Sequence, residues 1–209
     1  MSTRTIARRA ALAGVALSTA LALAACGGGD HDAGSGHDMP GKGAAAGPSA
    51  SASATFGDAD VMFAQMMIPH HQQAVRMSEL ADSRAQDPEV THLAAQIKAA
   101  QAPEIATMTG WLTAWGRPVP SGSPGSGHHD HGMPGMMSDA DMAKLAAASG
   151  REFDRQFLTM MIAHHEGAIT MAEEELASGA NADAKAMAQQ IVNSQQSEID
   201  AMKKVLARL

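Results

Sequence analysis

Two stretches carry the side chains best suited to chemistry: MMIPHHQQAVRM, residues 66–77, and MMIAHHEGAITM, residues 160–171. Each sets a Met pair three and four residues ahead of a His pair and closes with a Met seven residues past the first His. On a helix, positions three and four apart are neighbours, so Met67 can meet His70 and His71, and Met66 can meet His70. Met161 stands in the same relation to His164 and His165, and Met160 to His164; Met77 and Met171 close the two motifs. Thioether with imidazole is a soft donor set: it suits Cu(I), keeps Cu(II) accessible through the His side chains, and should accept silver as a Cu(I) mimic. Diiron carboxylate bundles use Glu-x-x-His on two helices and one Glu from each of the others. Glu104 and Glu198 could be that second pair, but Met67 and Met161 stand where the first Glu pair is needed, which disfavours iron and manganese. Zinc is disfavoured by the lack of Cys in the folded part. A lone inward His is more simply a neutral imidazole bonded within the core, and a Met ladder is more simply packing. Two His pairs at equivalent positions, each flanked by Met, tip the balance toward ligands.

These residues need a scaffold, and the sequence repeats one. An offset of 94 carries His70 to His164, and also Asp60 to Asp154, Phe63 to Phe157, Gln101 to Gln195, Glu104 to Glu198, Met108 to Met202 and Leu112 to Leu206. A single ungapped offset held over this length marks a duplicated structural unit. Aromatics make up 3% of the chain and Tyr is absent, whereas Ala and Met abound, a composition that favours close-packed helices over a sandwich or barrel. Apolar spacing predicts a helix from 58 to about 84 with the inner stripe Asp60, Phe63, Met67, His70, Ala74, Met77 and Ala81. Pro69 should remove one of its hydrogen bonds and kink it. Asp87 as N-cap and Pro88 at the first position announce a second helix, to about 115, with Ile97, Gln101, Glu104 or Ile105, Met108, and Trp111 or Leu112 inward. A short helix opens at Ser138 and is broken by Gly150. A third long helix, 151 to about 177, carries Asp154, Phe157, Met161, His164, Ala168 and Met171 inward, with Gly179 as its C-terminal cap. The last, 182 to about 207, repeats the second stripe with Ile191, Gln195, Glu198, Ile199, Met202 and Leu206, and Glu104, Met108, Glu198 and Met202 on these two stripes are possible additional metal ligands. His70 and His164 fall on the inner stripes, while His71 and His165, about 100° round, should face a neighbouring helix or the rim. The expectation is an all-α protein in which two helical hairpins, 56–117 and 138–209, form one four-helix bundle with an extra short helix.

Outside the bundle, residues 1–25 have the form of a signal peptide, with Arg4, Arg8 and Arg9 ahead of an Ala/Leu-rich run. The run ends Leu23-Ala24-Ala25-Cys26, similar to a lipobox, which makes Cys26 a lipidation site and 26–55 a flexible tether. The expected location is extracytoplasmic, anchored by lipid to the outer face of the cell membrane, through general secretion or the twin-arginine route. The linker 118–137 carries His128, His129, His131 and Met133, a tract able to capture metal loosely. Without the leader's three Arg, the 15 basic residues become 12 against 22 acidic, a formal −10, which argues against nucleic acid as a partner.

The segment FLTMMIAHHEGAITM, 157–171, resembles the signature of the bacterial family of unknown function numbered 305, and 63–77 resembles a second copy of it. The resemblance covers about 55–209. It implies a ferritin-like helical fold, export and, in some members, copper binding and tolerance, with Met67, His70, His71, Met161, His164 and His165 as the carried-over positions. Pro69, and Gln72-Gln73 against Glu166-Gly167, are where the two copies part. The favoured function is a membrane-tethered copper buffer or chaperone, a role compatible with a copper-handling partner protein. The alternatives are a ferritin-like metal-dependent oxidoreductase and a structural bundle in which Met and His only pack. No nucleophile triad, phosphate loop or dinucleotide fingerprint competes, so binding is favoured over catalysis.

Overall fold

The computed structural model of the chain describes residues 55–121 and 133–209. Every element in them is a helix: α1 (Asp58–Arg84), α2 (Pro88–Ala114), α3 (Asp139–Ala147), α4 (Gly150–Ser178) and α5 (Ala182–Arg208). The leader, Cys26, the tether and His128, His129 and His131 lie outside the described residues, as does the whole linker between 122 and 132.

The helix starts follow from side-chain acceptors for orphan N–H groups. Asp87 Oδ1 accepts from Glu89 N at 2.9 Å, Asn181 Oδ1 from Ala184 N at 2.9 Å, and Ser138 Oγ from Asp141 N at 3.1 Å. α1 continues through Pro69 and α2 through Pro103. Gly150, at φ +62°, makes the left-handed turn between α3 and α4 that a side chain would strain. Gly179 occupies the C-cap of α4 but in extended backbone, so it is not the left-handed cap expected. What its missing side chain supplies is room, because a Cβ there would overlap the Glu175 carboxyl.

α1 packs on α2 and α4 on α5 as two hairpins, which meet chiefly through α1 and α4, and less through α2 and α5. The duplication gives them a pseudo-two-fold relation, most visible at their corners. Asp154 on α4 accepts from Gln86 N and Asp87 N at 3.0 and 2.9 Å, bonding the start of α2. Asp60 on α1 accepts from Ala180 N and Asn181 N at 3.0 and 2.8 Å, bonding the start of α5. Each hairpin thus terminates a helix of the other. Burial would raise the Asp60 pKa, but the N–H groups of Gly57 and Asn181, a side-chain hydrogen bond with Glu175 and the N–H of Ala180 outweigh it and hold the carboxylate below its ordinary range.

The inner stripes of α1 and α4 are buried throughout. On α2 the structure selects Met108 and Leu112, leaving Ile105 and Trp111 half-buried. On α5 Val205 rather than Leu206 completes the stripe. The six motif and partner methionines of the core divide between two apolar clusters, each drawing on both repeats. Met67, Met108 and Met171 lie in one; Met77, Met161 and Met202 lie in the other. Along α1 and along α4, the His pair therefore sits between a Met of one cluster and a Met of the other.

Candidate metal centre

α1 brings His70 and His71, and α4 brings His164 and His165, to the middle of the bundle, where each is at most 1% exposed. The His70 and His164 rings meet across the pseudo-two-fold, centroids 3.7 Å apart and tilted by 36°. His71 turns to α2, its Nε2 at 2.7 Å from Glu104 Oε2, and His165 turns to α5, its Nε2 at 2.7 Å from Glu198 Oε2. Of the two orientations open to the outer His pair, the structure takes the neighbouring helix rather than the rim.

These contacts set the tautomers. A carboxylate only accepts, so His71 and His165 carry a proton on Nε2, and in the neutral ring Nδ1 is the nitrogen with the lone pair. His70 Nε2 donates to the Pro134 carbonyl at 3.1 Å, which leaves Nδ1 with its lone pair as well. All three Nδ1 atoms are buried without a hydrogen-bond partner among the described residues, and His164 has none on either ring nitrogen. Burial, with the nearby His71 next, pushes the His70 pKa down to about 3, against the opposing bond to Pro134. Burial, then the surrounding imidazoles, pushes His164 well below the ordinary range. Both therefore stay neutral at physiological pH, the form that binds metal. Glu104 and Glu198 are in the position of outer carboxylates that orient ligating imidazoles and raise their basicity.

A short strap from the crossover, 133–138, lies against the His pairs and accounts for one departure between the two copies, Gln73 against Gly167. Gln73 donates from Nε2 to Met137 O and accepts from Met137 N, both at 2.8 Å. Its counterpart, Gly167, leaves the space that Pro134 fills, since a Cβ there would overlap the Pro134 carbonyl. Gly135, at φ +76°, runs so close to α4 that a Cβ would stand 2.6 Å from Ala163 O. One copy grips the strap and the other makes way for it.

Of the residues expected at the site, Met67, His70, His71, Met77, Met108, Met161, His164, His165, Met171 and Met202 are buried in the bundle. Met66 and Met160 are half-buried at its margins, and Met133 half-buried at the start of the strap. Among the described residues, no three His, Cys, Asp or Glu side chains gather to hold a metal ion. Sequence reasoning missed Gln73 and Pro134 as contacts of the site. It also missed Glu175, buried beside Asp60, which a position-by-position comparison of the copies would have exposed: Ala81 is its counterpart.

The model of the domain of unknown function DUF305 matches residues 60–206. The chain belongs to the DUF305 family. A DUF305 protein from Streptomyces coelicolor, provisionally described as secreted, is 39% identical at a TM-score of 0.65, over 72% of this chain and 93% of that one. CopM in its Cu(II)-bound form is 36% identical at a TM-score of 0.62, over 71% of this chain and 96% of CopM. CopM has also been solved in Cu(I)-bound and Ag-bound forms. No curated protein sequence matches the chain. The donor set of this DUF305 chain fits such ions: its buried imidazole lone pairs lack partners among the described residues, and the Met side chains buried on the same helices are soft.

Proposed function

We propose that this DUF305 protein binds copper outside the cytoplasm, as a buffer or chaperone anchored to the outer face of the cell membrane through a lipid on Cys26. The observation that carries the reading is His164, whose two ring nitrogens are buried against the His70 ring without a hydrogen-bond partner among the described residues. An orphaned buried polar group costs about 1–3 kcal/mol, and a ligated metal would offset that cost. His70 and His164, with Met67 and Met161 one helical turn away, are the proposed first ligands; His71 and His165, oriented by Glu104 and Glu198, are the next. With Glu104 and Glu198 engaged by those imidazoles, the arrangement favours holding an ion over the open diiron-type site that an oxidoreductase would need. The relatives' Cu(I), Cu(II) and Ag forms support the choice of metal, and the relative described as secreted supports export.

Competitive titration tests it. Met67→Leu with Met161→Leu keeps core volume and should weaken Cu(I) by roughly tenfold or more, worth about 1.4 kcal/mol, while Cu(II) binding survives. His70→Ala with His164→Ala should weaken both ions. Unchanged Cu(I) affinity in both double variants would leave the motif as packing only.

A further inference from the structure

We propose that a cleft between the start of α1 and the end of α4 is a separate site for one soft monovalent cation, Cu(I) or Ag(I), bound by Met62, Met66 and Met171 with the Glu175 carboxylate. The cleft has a volume of about 360 Å³, and those four side chains line it together with Asp58 and Glu174.

Glu175 provides the first argument. It is 1% exposed, and neither carboxyl oxygen receives a hydrogen bond from any donor among the described residues. Its neighbour is Asp60, which accepts from the N–H groups of Gly57, Ala180 and Asn181 and, when Glu175 is protonated, from the Glu175 carboxyl as well. A buried carboxyl that receives no hydrogen bond and faces a second carboxyl holds a proton in the metal-free protein, and a cation entering the cleft takes that proton's place, releasing it to solvent. The thioethers decide which cation. Sodium, magnesium and calcium seek oxygen donors, whereas Met sulfur selects Cu(I) and its analogues. One carboxylate with a monovalent ion is a neutral pair, the arrangement that costs least to bury.

Met62 provides the second argument. It is 58% exposed, an isolated large apolar side chain left in solvent at the mouth of the cleft. That exposure leaves its thioether open to an ion entering the cleft.

The duplication provides the third. At the offset of 94, Met66 and Met171 have the counterparts Met160 and Met77, so both corners retain two thioethers. Met62 and Glu175, however, correspond to Gln156 and Ala81. The scaffold position filled by Glu175 therefore packs well with Ala, and the acid is present at one corner alone. The site would be open to solvent, unlike the sealed His centre, and does not require that centre to be loaded.

The test uses the full chain labelled with carbon-13 at the Met methyl groups and titrated with silver nitrate, signals being assigned from single Met→Leu variants. In a His70→Gln, His164→Gln background, the Met62, Met66 and Met171 signals should move together with the first equivalent of silver. Glu175→Gln should weaken that response roughly tenfold by removing the charged donor. If the Met67 and Met161 signals respond in the parent while the three cleft signals stay still, the cleft is not a site and the copper reading of the bundle stands. Cleft signals that move with undiminished affinity in Glu175→Gln would overturn the proposal equally. If no Met signal moves anywhere, both readings fall.

Discussion

Keeping two imidazoles neutral in the middle of a bundle makes the metal-free protein sensitive to mild acid. The ordinary imidazole pKa is 6.5, and burial holds that of His70 at about 3. Below pH 6.5 the unfolded chain takes up a proton that the folded chain refuses, so stability falls as pH falls. Between pH 6.5 and 5, the loss from His70 alone is about 2 kcal/mol, and His164 adds to it in the same direction. Glu175 works the other way. Burial, then the Asp60 carboxyl, raises its pKa from 4.5 to about 8, so the folded state already holds that proton and acidification from pH 8 favours folding. The clean measurement is therefore urea unfolding of the metal-free Glu175→Gln protein at pH 6.5 and 5.0. With a slope of about 1–3 kcal/mol per molar urea, its midpoint should fall by roughly 1 M or more. Adding His70→Gln should remove about 2 kcal/mol of that pH dependence. A midpoint that does not change between the two pH values, or that drops equally with and without His70, would refute the claim that these imidazoles are held neutral by burial.

Two other outcomes are expected. Gly167→Ala forces a methyl group against the Pro134 carbonyl, an overpacking cost of about 1–3 kcal/mol; melting should fall by several degrees, and the Met137 amide that donates to Gln73 should exchange faster, whereas an unchanged melt and exchange rate would mean that the strap is not seated there. Cys26→Ala should abolish lipid labelling and release the protein from membranes, and labelling that survives in this variant would rule out anchoring through Cys26.

The helices were legible because their information is local. Caps at Asp87, Ser138 and Asn181, and apolar steps of three and four, depend on neighbours within one turn, and the five elements start and stop within about two residues of where those signals lie. The offset of 94 made the central His pair legible too, since duplicated stripes must bring like positions to like places. It even contained the outer pair: His71 to Glu104 and His165 to Glu198 have the same separation in both copies. Periodicity by itself left those two imidazoles a choice between the rim and the next helix, because it fixes the direction of a side chain from its own axis and says nothing of what stands opposite.

The strap and the Glu175 corner were not legible, and for the opposite reason: each exists where the two copies differ. Gln73 and Gly167 look like drift at equivalent positions until Pro134 is placed between α1 and α4, whereupon one is a clamp and the other a gap. Ala81 and Glu175 look like an ordinary substitution until Asp60 is found beside the carboxyl and Gly179 beneath it. Repetition builds a symmetric scaffold cheaply, but one crossover can lie over only one side of a two-fold centre. The symmetry must therefore break wherever that crossover touches the bundle, and the residues that break it are those by which the two halves of a duplicated site can come to differ in access and affinity.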